Sequence, residues 1–197
     1  MTTSSGRYHH GDLQSSVLRV AGKILEKQGV EGLKMRKLAR RAKVSHNAPY
    51  RHFPDREALL AELAAEGFDL FRQELDAAEA QGGLRAMGEA YVRFALEHPQ
   101  RFRLMFAGQV AIAKHQRLRE VATRVFEELA GALSARIPEA QDAHDASIAA
   151  WALVHGLAQL LLEDRIAPAA KRGRDNAIFV REVLASIRFT AGPAKPA

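Results

Sequence analysis

Tyr50, Arg51 and His52 stand in direct succession within VSHNAPYRHFPDR, residues 44–56, and Arg36, Lys37, Arg40, Arg41 and Lys43 lie just upstream. A phenol, a guanidinium and an imidazole side by side offer hydrogen-bond donors, flat rings and positive charge. That is equipment for holding phosphate and base edges rather than for breaking bonds. Catalysis finds no matching constellation: there is no His-Glu-x-x-His metal pair, no Gly-x-Ser-x-Gly turn and no Gly-rich phosphate loop, and the eight histidines are scattered. No cysteine occurs, which excludes disulfides, thiol nucleophiles and cysteine-ligated metals. The residues therefore point to a binding protein, not an enzyme, with no cofactor and no metal.

The net charge of +6 is unevenly divided. Up to Glu57 there are 12 Lys and Arg against 5 Asp and Glu, a net of +7; the remaining 140 residues hold 17 against 18, a net of −1. Between Lys34 and Arg56 eight basic residues face Asp55 alone. A field of that sign attracts polyanions, meaning nucleic acid or an anionic membrane surface. The membrane is the poorer partner, because the apolar faces of the first helices are needed for their mutual packing. The N-terminal MTTSSGRYHHGD lacks the apolar core of a signal peptide, and no later run reads as approaching the ~18 apolar residues of a membrane helix. With 47% hydrophobic and 26% charged residues, the chain is expected to be a soluble cytoplasmic protein.

Which elements would position the basic residues? Leu13, Val17, Val20, Ala21, Ile24 and Leu25 recur at spacings of three and four, predicting a helix over 13–28 with Asp12 at its start and Gly29 at its end. A second helix, 35–42, turns Met35, Leu38, Ala39 and Ala42 inward and Arg36, Lys37, Arg40 and Arg41 outward. Lys43-Val44-Ser45 form a tight connection to a third helix over 46–52, with Ser45 as its cap, Pro49 at the edge of its first turn, and Val44 and Phe53 as anchors. Asp55 then caps a long helix to about Gln81, and Gly82-Gly83 stops it. Further helices are expected over 84–98, 102–106, 118–136, 146–162 and 177–189. The reading is all-α, about nine helices, with no strand-like alternation.

Three short helices, the second and third joined by a three-residue turn, have the spacing of a helix-turn-helix. At ILEKQGVEGL, MRKLARRAKVS and YRHFPDREALLAEL the sequence strongly resembles the tetracycline-repressor (TetR) family of bacterial transcriptional regulators. WALVHGLAQLLLE, with Trp151, His155 and Gly156, is similar to the C-terminal domain of a subgroup marked by a Trp-His-Gly signature. Two positions depart from the family pattern: Lys34-Met35 stand where Thr usually caps the second helix, and Lys43 where the turn usually has Gly. A left-handed backbone at Lys43 would cost about 1 kcal/mol or more.

The resemblance implies a flexible leader over 1–11, a DNA-binding domain over 12–56, an effector-binding and dimerisation domain over 57–190, and a disordered tail over 191–197. It implies a third helix in the major groove of a double-stranded operator. Arg36, Tyr50 and His52 would reach bases or backbone, with Arg51 and Lys43 near phosphate and Arg56 gripping phosphate. Ser45, His46, Asn47 and Ala48 would face base edges, Asn47 suiting adenine and Ala48 a thymine methyl. Arg7 in the leader would reach an adjacent minor groove.

For a small-molecule effector, the residues that would line a pocket are Tyr91, Phe94, Phe102, Met105, Phe106, Phe126, Trp151 and His155. A homodimer interface would draw on the last two helices through Ile148, Trp151, Leu157, Leu161, Phe179, Val183 and Ile187. The implied function is a repressor that binds a palindrome as a dimer and is released when its effector shifts helix 55–81. Alternatives are an effector-independent DNA-binding protein and a non-catalytic small-molecule binder with an incidental basic end.

Overall fold

The computed structural model describes residues 10–134 and 140–187, with the backbone alone at 10–12 and 140–143. The leader with Arg7, the tail over 191–197 and the end of the last expected helix lie outside the described residues. Eight helices follow one another: α1 (His10–Gln28), α2 (Met35–Arg41), α3 (Arg56–Glu97), α4 (Pro99–Phe106), α5 (Gln116–Ser134), α6 (Ala140–Leu162), α7 (Pro168–Lys171) and α8 (Asn176–Ala185). No strand occurs among the described residues.

Burial of Val17, Ala21, Ile24 and Leu25 fixes the inward face of α1, and Met35, Leu38 and Ala39 fix that of α2. α1 begins at His10, two residues before the expected start at Asp12, and Gly29 closes it with φ 64°. No side chain caps α2 at Lys34, as the sequence anticipated. At its other end Lys43 adopts φ 56°, while its amide reaches Arg40 O (3.2 Å) and the Val44 amide reaches Ala39 O (3.1 Å). These paired bonds form a Schellman ending with lysine in the left-handed position that glycine normally fills.

The expected third helix does not form as an α-helix. Residues 46–48 are turns, and a single 3-10 turn spans Pro49–Arg51. The reason is proline: Pro49 has no amide to donate to Ser45 O, which instead accepts from the Ala48 amide at 3.0 Å, so the bonding tightens to i−3. Ser45 thus contributes its carbonyl, and no side chain caps the turn. Phe53 is buried as the anchor, whereas Val44 is only half-buried.

Asp55 caps α3 by accepting the Ala58 amide at 2.7 Å. The expected helices 55–81 and 84–98 run on as this one element, broken at Gly83 (φ 66°, ψ −158°), a conformation essentially closed to other residues. Pro99 opens α4 rather than merely ending its predecessor, because a first helical position needs no amide donor. The four-residue α7 carries no periodicity from which a helix could be read.

The core gathers around α3. Its N-terminal half packs on α1, its C-terminal half on α6 and α8, and α4 and α5 flank it. Phe71 lies 4.8 Å from the Tyr91 ring and 4.9 Å from Phe94, in the tilted and edge-on arrangements that aromatic quadrupoles favour. Contrary to the sequence reading, His144–Leu162 of α6 is long and apolar enough, by length and composition, to cross a membrane. Here that stretch is a core helix in part: Ala150, Leu157, Ala158 and Leu161 are buried against its neighbours.

Replacing Lys43 with Gly should raise stability by ~0.5–1 kcal/mol, the relief of left-handed strain less the extra freedom of glycine in the unfolded chain. Urea unfolding of the Lys43→Gly variant measures this, and an unchanged midpoint would show that the side chain recovers the strain elsewhere.

A basic face and a buried cavity

The turn at 46–51 presents its polar residues outward because Ala48, Pro49 and Phe53 hold its inner side. Tyr50 is 42% exposed, and Arg36, Lys43, Ser45, His46, Asn47 and Arg51 are exposed beside it. Arg36 Nε donates to His46 Nε2 at 3.2 Å, and His46 Nδ1 lies 3.1 Å from Asn47 Oδ1. A guanidinium can only donate, so Nε2 carries the lone pair and the ring proton sits on Nδ1, directed at Asn47. One neutral imidazole therefore aligns an arginine of α2 with an asparagine of the turn. The Tyr50 ring stands 6.0 Å from His46, completing a continuous polar ridge.

Three of the residues expected at the reading surface have other surroundings. Ala48 is only 7% exposed, so its methyl cannot reach a groove and serves as packing. Arg56 turns inward: its guanidinium donates to Leu33 O at 2.8 Å and Val30 O at 2.6 Å, bracing α3 against the connection between α1 and α2. The loop carbonyls left open there outcompete solvent phosphate for a planar donor. His52 is half-buried and lines a cleft of about 300 Å³ with Gln14, Phe53, His115 and Gln116.

Ion pairs tie the N-terminal helices to the rest. Arg101 of α4, largely buried, holds Glu26 of α1 at 3.1 Å. Arg117 of α5 forks between Glu62 and Asp69 of α3, and His115 lies 3.4 Å from Glu57. Burial raises the Glu66 carboxyl above its ordinary range, with Arg101 pulling the other way.

A cavity of about 610 Å³ opens between α3, α4, α5, α6 and α8. Of the expected lining, Tyr91, Met105, Phe106, Phe126, Trp151 and His155 are present. Phe94 and Phe102 are not: both are fully buried on the far side of the aromatic cluster, where large rings fill the core. Phe68, Phe71, Leu184, Gly88 and Arg85 also line it; periodicity separates inward from outward faces but not core from cavity, so spacing does not mark them.

At the inner wall, Trp151 Nε1 donates to Tyr91 Oη at 3.1 Å, and Tyr91 Oη lies 2.9 Å from His155 Nδ1. The indole can only donate, so the phenol accepts from it and turns its own proton to the imidazole. Burial keeps this cluster uncharged, raising the Tyr91 phenol well above its ordinary value and lowering His155.

Most of the expected interface residues point elsewhere. Leu157, Leu161 and Phe179 are buried within their own subunit, Val183 packs on the same core, and Ile187 lines the cavity. Ile148 and Trp151 remain exposed, joined by Leu160 and Ile178.

Because burial depresses the His155 pKa, the unfolded chain binds the extra proton first as pH falls below about 6.5. His155 therefore contributes stability that is intact at neutral pH and is lost as the solution is acidified through that value. The difference in unfolding free energy between the protein and its His155→Asn variant should shrink from pH 7.5 to 5.5; a constant difference would place the imidazole in solvent.

Comparison with known proteins agrees with both features. Residues 17–63 match the description "Bacterial regulatory proteins, tetR family", and residues 84–185 match "Tetracyclin repressor-like, C-terminal domain". The uncharacterized HTH-type transcriptional regulator YobS of Bacillus subtilis (strain 168) is 33% identical over 93 residues, 45% of this chain and 49% of YobS, so the match spans about half the length of that relative. A protein of unknown function from Rhodococcus sp. RHA1 is 31% identical, with a TM-score of 0.76 over 92% of this chain and 96% of that one. The multidrug binding protein EbrR, complexed with imidazole, shares the fold at 20% identity, with a TM-score of 0.62 over 92% and 97% of the two chains. With a family match over more than half its length, a helix-turn-helix at one end and a cavity-bearing helical domain at the other, the chain belongs to the TetR family of transcriptional regulators.

Proposed function

We propose that this regulator is a cytoplasmic, homodimeric repressor that reads a palindromic operator through residues 12–56 and releases it when a small molecule enters the cavity of residues 57–190. The observation that carries the reading is the path between the two: α4 sets Met105 and Phe106 in the cavity wall and Arg101 on Glu26 of α1. An occupant that displaces α4 pulls on the helix that supports the exposed ridge. Movement at the start of α3 is passed on through Arg56, whose bonds to Val30 O and Leu33 O grip the neighbouring connection. A coupling of about 1–3 kcal/mol between the sites suffices for a switch.

Arg36, His46, Asn47 and Tyr50 form the reading surface, Arg51, Lys43 and the outer arginines of α2 hold phosphate, and Ser45 lies at the edge. The exposed Ile148, Leu160 and Ile178 supply the self-association face, so that two ridges stand about one duplex turn apart, ~34 Å. The meeting of Trp151 and His155 at the Tyr91 hydroxyl gives the Trp-His-Gly subgroup assignment a physical content. EbrR, described as a multidrug binding protein, is consistent with a cavity that receives small molecules.

Selection of bound fragments from the source genome should return a palindrome preferred over bulk DNA by ~10³ or more. The Arg36→Ala/Tyr50→Ala double variant should lose most of that preference, and retention of it would remove the ridge from the interface. Independently, Arg101→Ala should bind small molecules as before while its operator release weakens about five-fold or more; undiminished release would discard the α4 route.

A further inference from the structure

We infer that the cavity takes an amphipathic monoanion, a molecule with an apolar body and a single carboxylate-type head that pairs with Arg85. The inference rests on the reading of this cavity as the effector site and adds the chemistry of what fills it.

The walls come first. Rings of Phe68, Phe71, Phe106 and Phe126, with aliphatic side chains from α3, α5, α6 and α8, make the lining predominantly apolar, and no aspartate or glutamate is part of it. A volume of about 610 Å³ is in the range that encloses a drug-sized molecule. An apolar body therefore gains from entry by shedding water.

The polar groups divide sharply. Trp151 donates to Tyr91, Tyr91 donates to His155, and the other imidazole nitrogen faces Gln159 at 3.4 Å, so an occupant without polar atoms at that end leaves nothing stranded. Arg85 is the opposite case. It lines the same cavity, is exposed to solvent, and has neither an ion pair nor a hydrogen bond among the described residues. It follows the break at Gly83 by two residues, so it sits at the start of the second half of α3, and Tyr91 lies six residues on, about 9 Å along the helix axis. The occupant thus meets an unpaired guanidinium at one end and a neutral, hydrogen-bonded cluster at the other.

Charge and geometry together select the head group. A guanidinium pairs with a planar carboxylate through two parallel hydrogen bonds. One arginine rather than a cluster suits a single negative charge, whereas phosphate-bearing ligands call for several. A cationic occupant meets the aromatic faces, which attract it, but also Arg85, which repels it, and no carboxylate compensates for its lost hydration. Fatty and aryl carboxylates share the selected chemistry, and the length of the body distinguishes them.

Trp151, the sole tryptophan, stands in the wall and reports occupancy by its fluorescence. Dodecanoate, 1-dodecanol and dodecyltrimethylammonium, each below its micelle concentration, are titrated into the full chain and into Arg85→Gln and Arg85→Lys. The expected order is carboxylate tightest by about tenfold, a preference lost in Arg85→Gln, partly kept in Arg85→Lys and weakened by salt, since Arg85 is exposed. Equal affinity for carboxylate and alcohol, or a carboxylate affinity that Arg85→Gln leaves unchanged, overturns the anion assignment and leaves the cavity reading standing. Tightest binding by the ammonium compound overturns it as well. Failure of all three probes to perturb Trp151 overturns both, and an operator that stays bound while the carboxylate occupies the cavity removes the effector role alone.

Discussion

Burial of the apolar seam along α3 is the constraint on which everything else depends. Leu59, Leu60 and Leu63 near its start lie in the same continuous core as Phe68, Phe71 and Leu75 further on, and as Met87, Ala90, Tyr91 and Phe94 beyond the break. Each other long helix finds its place by covering part of that seam. A fully buried leucine or phenylalanine side chain is worth about 1.5–3 kcal/mol, so the seam outweighs any single ion pair on the surface. The exposed ridge at 46–51 inherits its order from this arrangement. A single 3-10 turn has no stability of its own, and Pro49, Phe53 and the Arg56 brace tie it to helices that do.

Electrostatics then divides the labour. The first 57 residues carry a net of +7 and the remainder a net of −1, so the polyanion-binding potential is confined to one end. Within the nearly neutral remainder, the cavity lining is predominantly apolar, and its inner polar groups are uncharged because burial penalises charge there. The contacts that cross between the two parts, Arg101 with Glu26 and His115 with Glu57, are only partly shielded from water. Their part is to fix orientation more than to add stability.

Much of this was legible in the sequence. The faces of α1 and α2, the Asp55 cap and the interruption at Gly83 follow from spacing and backbone chemistry, and each is found; the left-handed backbone at Lys43 matches what the family resemblance suggested for that turn. The turn at 46–51 departs from the expected α-helix: Pro49 at the edge of a first turn makes its missing donor look harmless, but that donor is the one an i−4 bond to Ser45 O requires. The surroundings of Arg56 and Ala48 are not legible for a different reason: spacing does not locate the backbone carbonyls that Arg56 bonds or the apolar neighbours that cover Ala48. Phe94 and Phe102 share a period with Tyr91 and Phe106, and only the third dimension separates core from cavity. Arg85 carried no pattern at all. Leu157, Leu161 and Phe179 illustrate the limit of inferring partners from an all-round apolar helix, since the same chain can provide them.

The glycine at 83 has one more effect. A backbone step at φ 66° and ψ −158° ends the rotational phase of the helix before it and begins a new one. Residues 84–97 thus point in directions that the count of residues from Arg56 does not dictate. An insertion or deletion just ahead of this break therefore re-aims Leu84, Arg85, Met87 and Tyr91 against Phe68, Phe71 and Leu75, which line the same cavity from before it, and reshapes the wall without exchanging a side chain.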